Sequence, residues 1–285
     1  MPTVLRPQAL TGFTNAPSYD THRPTYPQPS TDLFLQHLRL SNKPGAKIVD
    51  LGAGTGKFTE ALVAREEGYE IIAVEPHPEM RGELEMKRAM LGGNWEKVAV
   101  KDGGATEIPV ERGSVDAVVV GQAFHWFANE GALREIHRVL RPGGMLGLIW
   151  NIEDYNAPKS WQPTTAWERT VKAITWSLDS EKDSDPRFRH EKWAAVFENQ
   201  GQNGQKQIFN SPMGQHSDKY KRRLSKQAIW ERYHTLSQVA NLKGDELESV
   251  CHQVFNALEN DKEATDDKDE VELNWATYFV WMEAI

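Results

Sequence analysis

Asp50, Gly52, Gly54 and Gly56, within KIVDLGAGTGKFTEALV at 47–63, are the first residues whose types and spacing point to chemistry. An apolar run ends in an acid, three glycines follow within five positions, and a helix-like segment begins. Glycines at such a turn let a ligand approach the backbone, and the amides that open a helix favour a negative group. A dinucleotide, a phosphate, or another ligand with a negative end would each suit. A dinucleotide fingerprint spaces its glycines G-x-G-x-x-G, whereas this loop, with Ala53 after its first glycine, reads G-x-G-x-G. A tight turn without a ligand is the plain alternative.

A second acid narrows the choice. IIAVEPHPEM places Glu75, followed by Pro76, at the end of a second apolar run. In open α/β sheets ligands sit outside the carboxyl ends of the strands. A carboxylate there can accept both hydroxyls of an adenosine ribose. An NAD site uses an acid in the same way, so Glu75 supports adenosine without choosing the cofactor. In KDGGATEIP, Asp102, Gly103, Gly104 and Ala105 form a turn whose small residues leave room for a flat base. SVDAVVVGQAFHWF then delivers Gln122, His125, Trp126 and Phe127 just above the sheet. His125 is the candidate base, but a lone histidine is weak evidence for catalysis, and a pocket wall is the preferred reading. Trp126, Phe127 and Trp150 are candidates for lining an acceptor pocket.

These residues need a scaffold of alternating strands and helices. The pattern predicts strands over 48–51, 70–74, 98–100, 114–120 and 145–150. Helices are predicted over 57–67, 78–90 and 131–140, the last stopped by Arg141-Pro142-Gly143-Gly144. Such alternation means a doubly wound, Rossmann-like parallel sheet. Ser30 or Thr31 is expected to cap an earlier helix through Leu38. After Asn151, Trp167, Val171, Ile174 and Leu178 share one helix face, and Ile229, Tyr233, Leu236 and Ala240 repeat the spacing. Residues 205–210 and 271–282 read as strands, and the acidic stretch 259–270 as a solvated loop. One domain over 1–285 is expected, with an arm (1–30), a cofactor-binding half (46–151), and helical insertions that complete the sheet and cap the substrate (152–285).

A net charge of −8 disfavours a general nucleic-acid binder. Cys251 is the only cysteine, which excludes an internal disulfide. His190, His216 and His234 show no metal spacing, so no metal is expected. MPTVLRPQAL lacks the apolar core of a signal peptide, and no apolar run is long enough to span a bilayer. A cytoplasmic monomer with a small-molecule substrate, and neither nucleic-acid nor membrane partners, is expected. The tryptophans of the second half, such as Trp161 and Trp193, mostly serve the core, and KYKRR at 219–223 reads as a solvated charged face.

Together, VDLGAGTGKFT, AVEPHPEMR, DGGATEIP, SVDAVVVGQAFHWF and IHRVLRPGG resemble the class I S-adenosylmethionine-dependent methyltransferases over residues 46–151. The chain is most similar to the small-molecule branch that includes ubiquinone-biosynthesis-type enzymes. The resemblance implies seven strands with an antiparallel last strand over 271–282, and S-adenosyl-L-methionine as cofactor. It puts Asp50 near the methionine amino end, with Gly52, Ala53, Gly54 and Gly56 as the floor. Glu75 and Pro76 fall at the ribose, Asp102 to Ala105 around the adenine, and Gln122 near the methionine or sulfonium end. The ligand's negative end becomes the methionine carboxylate, which loop amides and the helix N-terminus would favour. The arm SYDTHRPTYP resembles the segment that folds over the cofactor in this branch, with Tyr19 and Arg23 closing the site and Arg23 facing the carboxylate. With ERYHTLSQVANL, the motifs are also similar to fungal secondary-metabolite methyltransferases. Some of these methylate both thiols of reduced epidithiodiketopiperazines such as gliotoxin. S-methylation of such a dithiol is the expectation, with a carboxyl or hydroxyl acceptor close behind. A regulatory protein that binds the cofactor without catalysis is the alternative of another class.

Overall fold

The computed structural model describes residues 20, 21, 23–179, 186–202 and 206–285. Helix α1 (Gln28–His37) starts behind Pro27 with a proline in its first turn, ahead of the expected caps. Proline's fixed φ suits that position. Thr31 Oγ1 instead donates back to Pro27 O at 3.0 Å, and Ser30 donates to Asp218 at 2.6 Å.

Next come β1 (Lys47–Leu51), α2 (Lys57–Val63), β2 (Glu70–Val74), α3 (Pro78–Leu91), β3 (Val98–Lys101), β4 (Val115–Gly121), α4 (Glu130–Val139) and β5 (Leu140–Glu153). Two boundaries differ from expectation. Helix α2 ends at Val63, four residues early. Arg141 to Gly144 do not stop the chain before β5. Val115 pairs with Leu140 and Ala117 with Met145, so the glycine run is a bulge inside the strand.

The second half adds α5 (Ala166–Ser177), α6 (Ala195–Glu198), β6 (Gly214–Ser225), α7 (Lys226–His234), α8 (Ser237–Ala240), α9 (Asp245–Asn260) and β7 (Glu270–Glu283). The helix face from Ile229 to Ala240 is broken after His234 into α7 and α8. Of the strand expected over 205–210, Phe209 makes one isolated bridge to Ala284. Residue 205 lies outside the described residues. The start of the acidic stretch belongs to α9, and Asp261 is buried, accepting the Trp167 amide at 2.8 Å.

The sheet order is β3-β2-β1-β4-β5-β7-β6. Neighbours from β3 through β5 pair in parallel, and β7 is antiparallel to both β5 and β6. The period of two along each strand divides the core. Ile48, Ala117, Val119 and Ile149 pack with Phe34, Phe58 and Leu84 on one face. Val49, Val118, Val120 and Leu148 pack with Leu133 and Ile136 on the other. A third cluster joins α5, α7 and α9 through Trp167, Tyr233 and Val254. The order reverses between β1 and β4, the switch point outside whose carboxyl ends ligands sit in open sheets of this kind.

Candidate functional site

Gly52, Gly54 and Gly56 have φ of 70°, 58° and 87°, the left-handed region that glycine enters without penalty. A Cβ at Gly52 would lie 2.9 Å from the Ala123 methyl and 3.6 Å from the Phe127 ring. The loop is therefore pressed against the segment leaving β4. Its amides are largely committed. Gly52 and Ala53 donate to Val74 O at 2.8 and 3.2 Å, Gly54 to Glu75 Oε2 at 2.8 Å, and Gly56 to Ala53 O at 2.9 Å. These four are committed within the protein, whereas the sequence suggested the loop amides for a ligand carboxylate. Three of them tie the loop to the end of β2, and the Gly56 amide closes a turn within the loop.

Asp50, at the end of β1, is fully buried. Thr59 Oγ1 donates to its Oδ2 at 2.6 Å, while Oδ1 has no partner. Burial pushes its pKa up to about 7, the Thr59 hydrogen bond opposes this, and the nearby Glu75 adds to it. A buried carboxyl oxygen without a donor fits an incoming ammonium. Glu75 is also buried, and its Oε1 accepts from the His77 amide at 2.7 Å. Burial raises its pKa too, against these backbone hydrogen bonds.

Arg81, which sequence reasoning gave no role, ties the neighbouring strand ends together. It donates to Glu75 O at 2.8 Å, Pro76 O at 3.2 Å and Asp102 Oδ1 at 3.2 Å. Asp102 is exposed, while Gly104 and Ala105 are buried in the turn beneath it. A Cβ at Gly103 would meet Pro109 at 2.6 Å, so this turn needs a small residue.

The described part of the arm, residues 20, 21 and 23–30, packs at this edge and along the segments beside it. Asp20 accepts from Thr55 Oγ1 at 2.7 Å, pairs with Lys87 at 2.5 Å and lies 3.5 Å from Lys57. A Cβ at Gly121 would approach the Tyr26 hydroxyl to 2.8 Å, and Tyr26 meets the Phe58 ring edge-on at 4.8 Å. Asn151 Nδ2 donates to Thr25 O at 3.3 Å, and Arg23 donates to Thr235 O at 3.1 Å. Tyr19 lies outside the described residues.

Gln122 adopts φ 59°, strained for a side chain with a Cβ. It is fixed by its amide to Ile149 O at 2.9 Å and its Nε2 to Asn151 O at 2.8 Å. Beside it a cavity of about 70 Å³ is lined by Arg23, His125, Trp126, Arg187, Arg189 and Gln238, among others. Enclosure by protein, then the Arg187 and Arg189 guanidiniums, push His125 down to about 3. The imidazole is neutral at neutral pH and a poor base. Its Nδ1 accepts from Trp150 Nε1 at 3.4 Å.

Two pocket candidates sit elsewhere. Trp150 is fully buried, packed against Trp193 at 4.8 Å and Phe188 at 5.0 Å, behind the His125 and Phe188 side chains that line the cavity. Its side chain points to the sheet face covered by the second half of the chain. Phe127 packs on the Gly52 side and on Phe124 at 5.6 Å, outside the cavity lining. Arg187, Arg189 and Gln238 were missed because no motif marks them. Alternation in PRFRH was the only available signal. Among the described residues no His, Cys, Asp and Glu cluster could hold a metal, and no helix is long and apolar enough to cross a membrane.

Residues 49–148 match the family described as Methyltransferase domain. An uncharacterized methyltransferase-like protein of Schizosaccharomyces pombe is 39% identical over 188 residues, 66% of this chain and 65% of that protein. An uncharacterized methyltransferase of Mycobacterium tuberculosis H37Rv is 46% identical over 139 residues, 48% of this chain and 50% of its own. The chain thus spans less than two thirds of either relative. The YcgJ protein of Bacillus subtilis shares the fold, with a TM-score of 0.55 at 18% identity over 90% of this chain and 98% of that one.

Proposed function

We propose that this chain, whose residues 49–148 form a methyltransferase domain, transfers a methyl group from S-adenosylmethionine to a small molecule. One observation carries the reading: the unpartnered Asp50 Oδ1, the buried Glu75 and the left-handed glycine loop converge at one strand edge. Asp50 takes the cofactor's amino end, Arg23 its carboxylate, Glu75 the ribose and Asp102 to Ala105 the adenine. Gln122 faces the sulfonium end. When bound, the cofactor supplies an activated methyl carbon on a leaving group that needs no protonation. The chain's part is to orient the acceptor, exclude water with the arm, and fix the approach line.

His125 serves as a wall. As a neutral, weakly basic ring it cannot take a proton from an alcohol, which favours an acceptor that arrives ionised, a thiolate or a carboxylate. The resemblance to fungal enzymes points to the thiols of a reduced epidithiodiketopiperazine as one such acceptor, and a small carboxylic acid is the other. The test is incubation with S-adenosylmethionine and a panel of dithiols, acids and phenols, followed by mass spectrometry. A gain of about 14 mass units per methyl, the added CH₂, is expected. No methylated product from any class of acceptor would leave a cofactor-binding regulator as the better reading.

A further inference from the structure

The cavity beside Gln122 has an unusual wall. Arg187 and Arg189, 6% and 3% exposed, stand with Arg23 around about 70 Å³, and no Asp or Glu occurs among its described lining residues. Arg187 Nε donates to Gln238 Oε1 at 3.1 Å. Arg189 donates one terminal nitrogen to Asn156 Oδ1 at 3.1 Å and the other to Asp179. That leaves two buried donors on this wall, Arg189 Nε and Gln238 Nε2, with no hydrogen-bond partner. Asp179 pairs with Arg189 and lies 4.0 Å from Arg187, and the two unused donors are what oxygens of an anionic ligand would satisfy. The positive field reaches His125, whose pKa falls through enclosure first and then through Arg187, Arg189, His190 and Arg23.

We propose that this cavity is an anion subsite for the methyl acceptor, and that the acceptor is a small carboxylic acid held by Arg189 and Gln238 with Arg187 alongside. Two separate unused donors, Arg189 Nε and Gln238 Nε2, suit the two oxygens of a carboxylate better than a single thiolate sulfur. The inference rests on the methyltransferase reading and names its substrate class. A lone pair of the carboxylate oxygen forms the bond to the methyl carbon. The carbon–sulfur bond breaks, its electron pair stays on sulfur, and a methyl ester and a neutral thioether result. No proton moves, so the neutral His125 has nothing to accept.

The test uses the full chain. S-adenosylhomocysteine binding is measured first by calorimetry, and then transfer of labelled methyl to small mono- and dicarboxylic acids, dithiols and phenols. Acids are expected to be the preferred acceptors, giving products that release methanol in mild alkali. Arg189→Gln should raise KM for the acid at least tenfold, leave kcat within about threefold, and leave S-adenosylhomocysteine affinity within about twofold. Gln238→Glu, with its fold checked by melting, should raise KM as much by placing a like charge at the anion. Preference for a dithiol or phenol overturns the proposal. So does a loss of cofactor affinity in Arg189→Gln equal to the loss for the acid, which would assign the guanidinium to the cofactor. No S-adenosylhomocysteine binding in the unaltered chain overturns the methyltransferase reading itself.

Discussion

Thr59 Oγ1 donates to Oδ2 of Asp50 at 2.6 Å, and the other oxygen of that carboxyl is buried with no partner. The carboxyl is therefore half-prepared for a cation, and its protonation controls what it can hold. With its pKa raised to about 7, Asp50 is protonated in the folded chain over a range where it would be ionised in the unfolded one. Its contribution to the stability of the ligand-free fold is fully present below the unfolded value near 4 and is lost as pH rises through about 7. An ammonium needs the ionised form. Affinity for S-adenosylhomocysteine should fall roughly tenfold per pH unit below about 7 and flatten above it. Asp50→Asn should bind weakly with no such slope. Calorimetry from pH 5.5 to 8.5 checks this, and a pH-independent affinity in the unaltered chain would contradict it.

Gly52→Ala should abolish cofactor binding. The new methyl would sit 2.9 Å from the Ala123 Cβ at φ 70°, and neither neighbour is a flexible tip. Left-handed strain and crowding together should cost about 1–3 kcal/mol of stability. Thermal melts and a cofactor titration read the two effects separately.

Asp20→Asn tests the arm. The substitution weakens the contacts to Lys87 and Lys57 while keeping an acceptor for Thr55. These pairs are partly exposed, so stability should change by less than about 1 kcal/mol. Cofactor affinity should drop several-fold, and the arm should be cut faster in limited proteolysis. Equal affinity and equal cleavage would separate the arm from the site.

Glu75→Gln probes the acid proposed to hold the ribose. Its carboxylate accepts from the Gly54 and His77 amides, and an amide side chain has only one oxygen to offer. One backbone donor would then face an N–H group, costing about 1–3 kcal/mol. Denaturant unfolding should show that loss, together with weaker nucleoside binding. Unchanged values in both would remove Glu75 from the site.

Much of the first half was legible because β1, β2 and β4 are largely buried apolar runs that end beside a polar residue. Asp50, Glu75 and Gln122 stand at the ends of β1, β2 and β4 as their apolar runs implied. Strand β6 was invisible for a physical reason. It is an edge strand whose GQHSDKYKRRLS carries almost no apolar residues, since only one neighbour covers it and charge guards its free side. The KYKRR segment does lie largely exposed, but as part of that strand. Helix α9 was readable and overlooked: Leu247, Val250, Cys251, Val254 and Leu258 recur at helical spacing. Arg187, Arg189 and Gln238 could not be assembled from sequence, because they come from two separate segments brought to one cavity by the packing of the second half.

The central claim is that the crevice at the ends of β1, β2 and β4 holds a sulfonium nucleoside and not a redox dinucleotide. Titrating the full chain at pH 8 with S-adenosylmethionine and, separately, with NAD tests it most directly. The expected result is one S-adenosylmethionine per chain with Kd near the micromolar range, about −8 kcal/mol, absent in Gly52→Ala, and no heat with NAD. An empty titration with S-adenosylmethionine, or tighter binding of NAD, would contradict it.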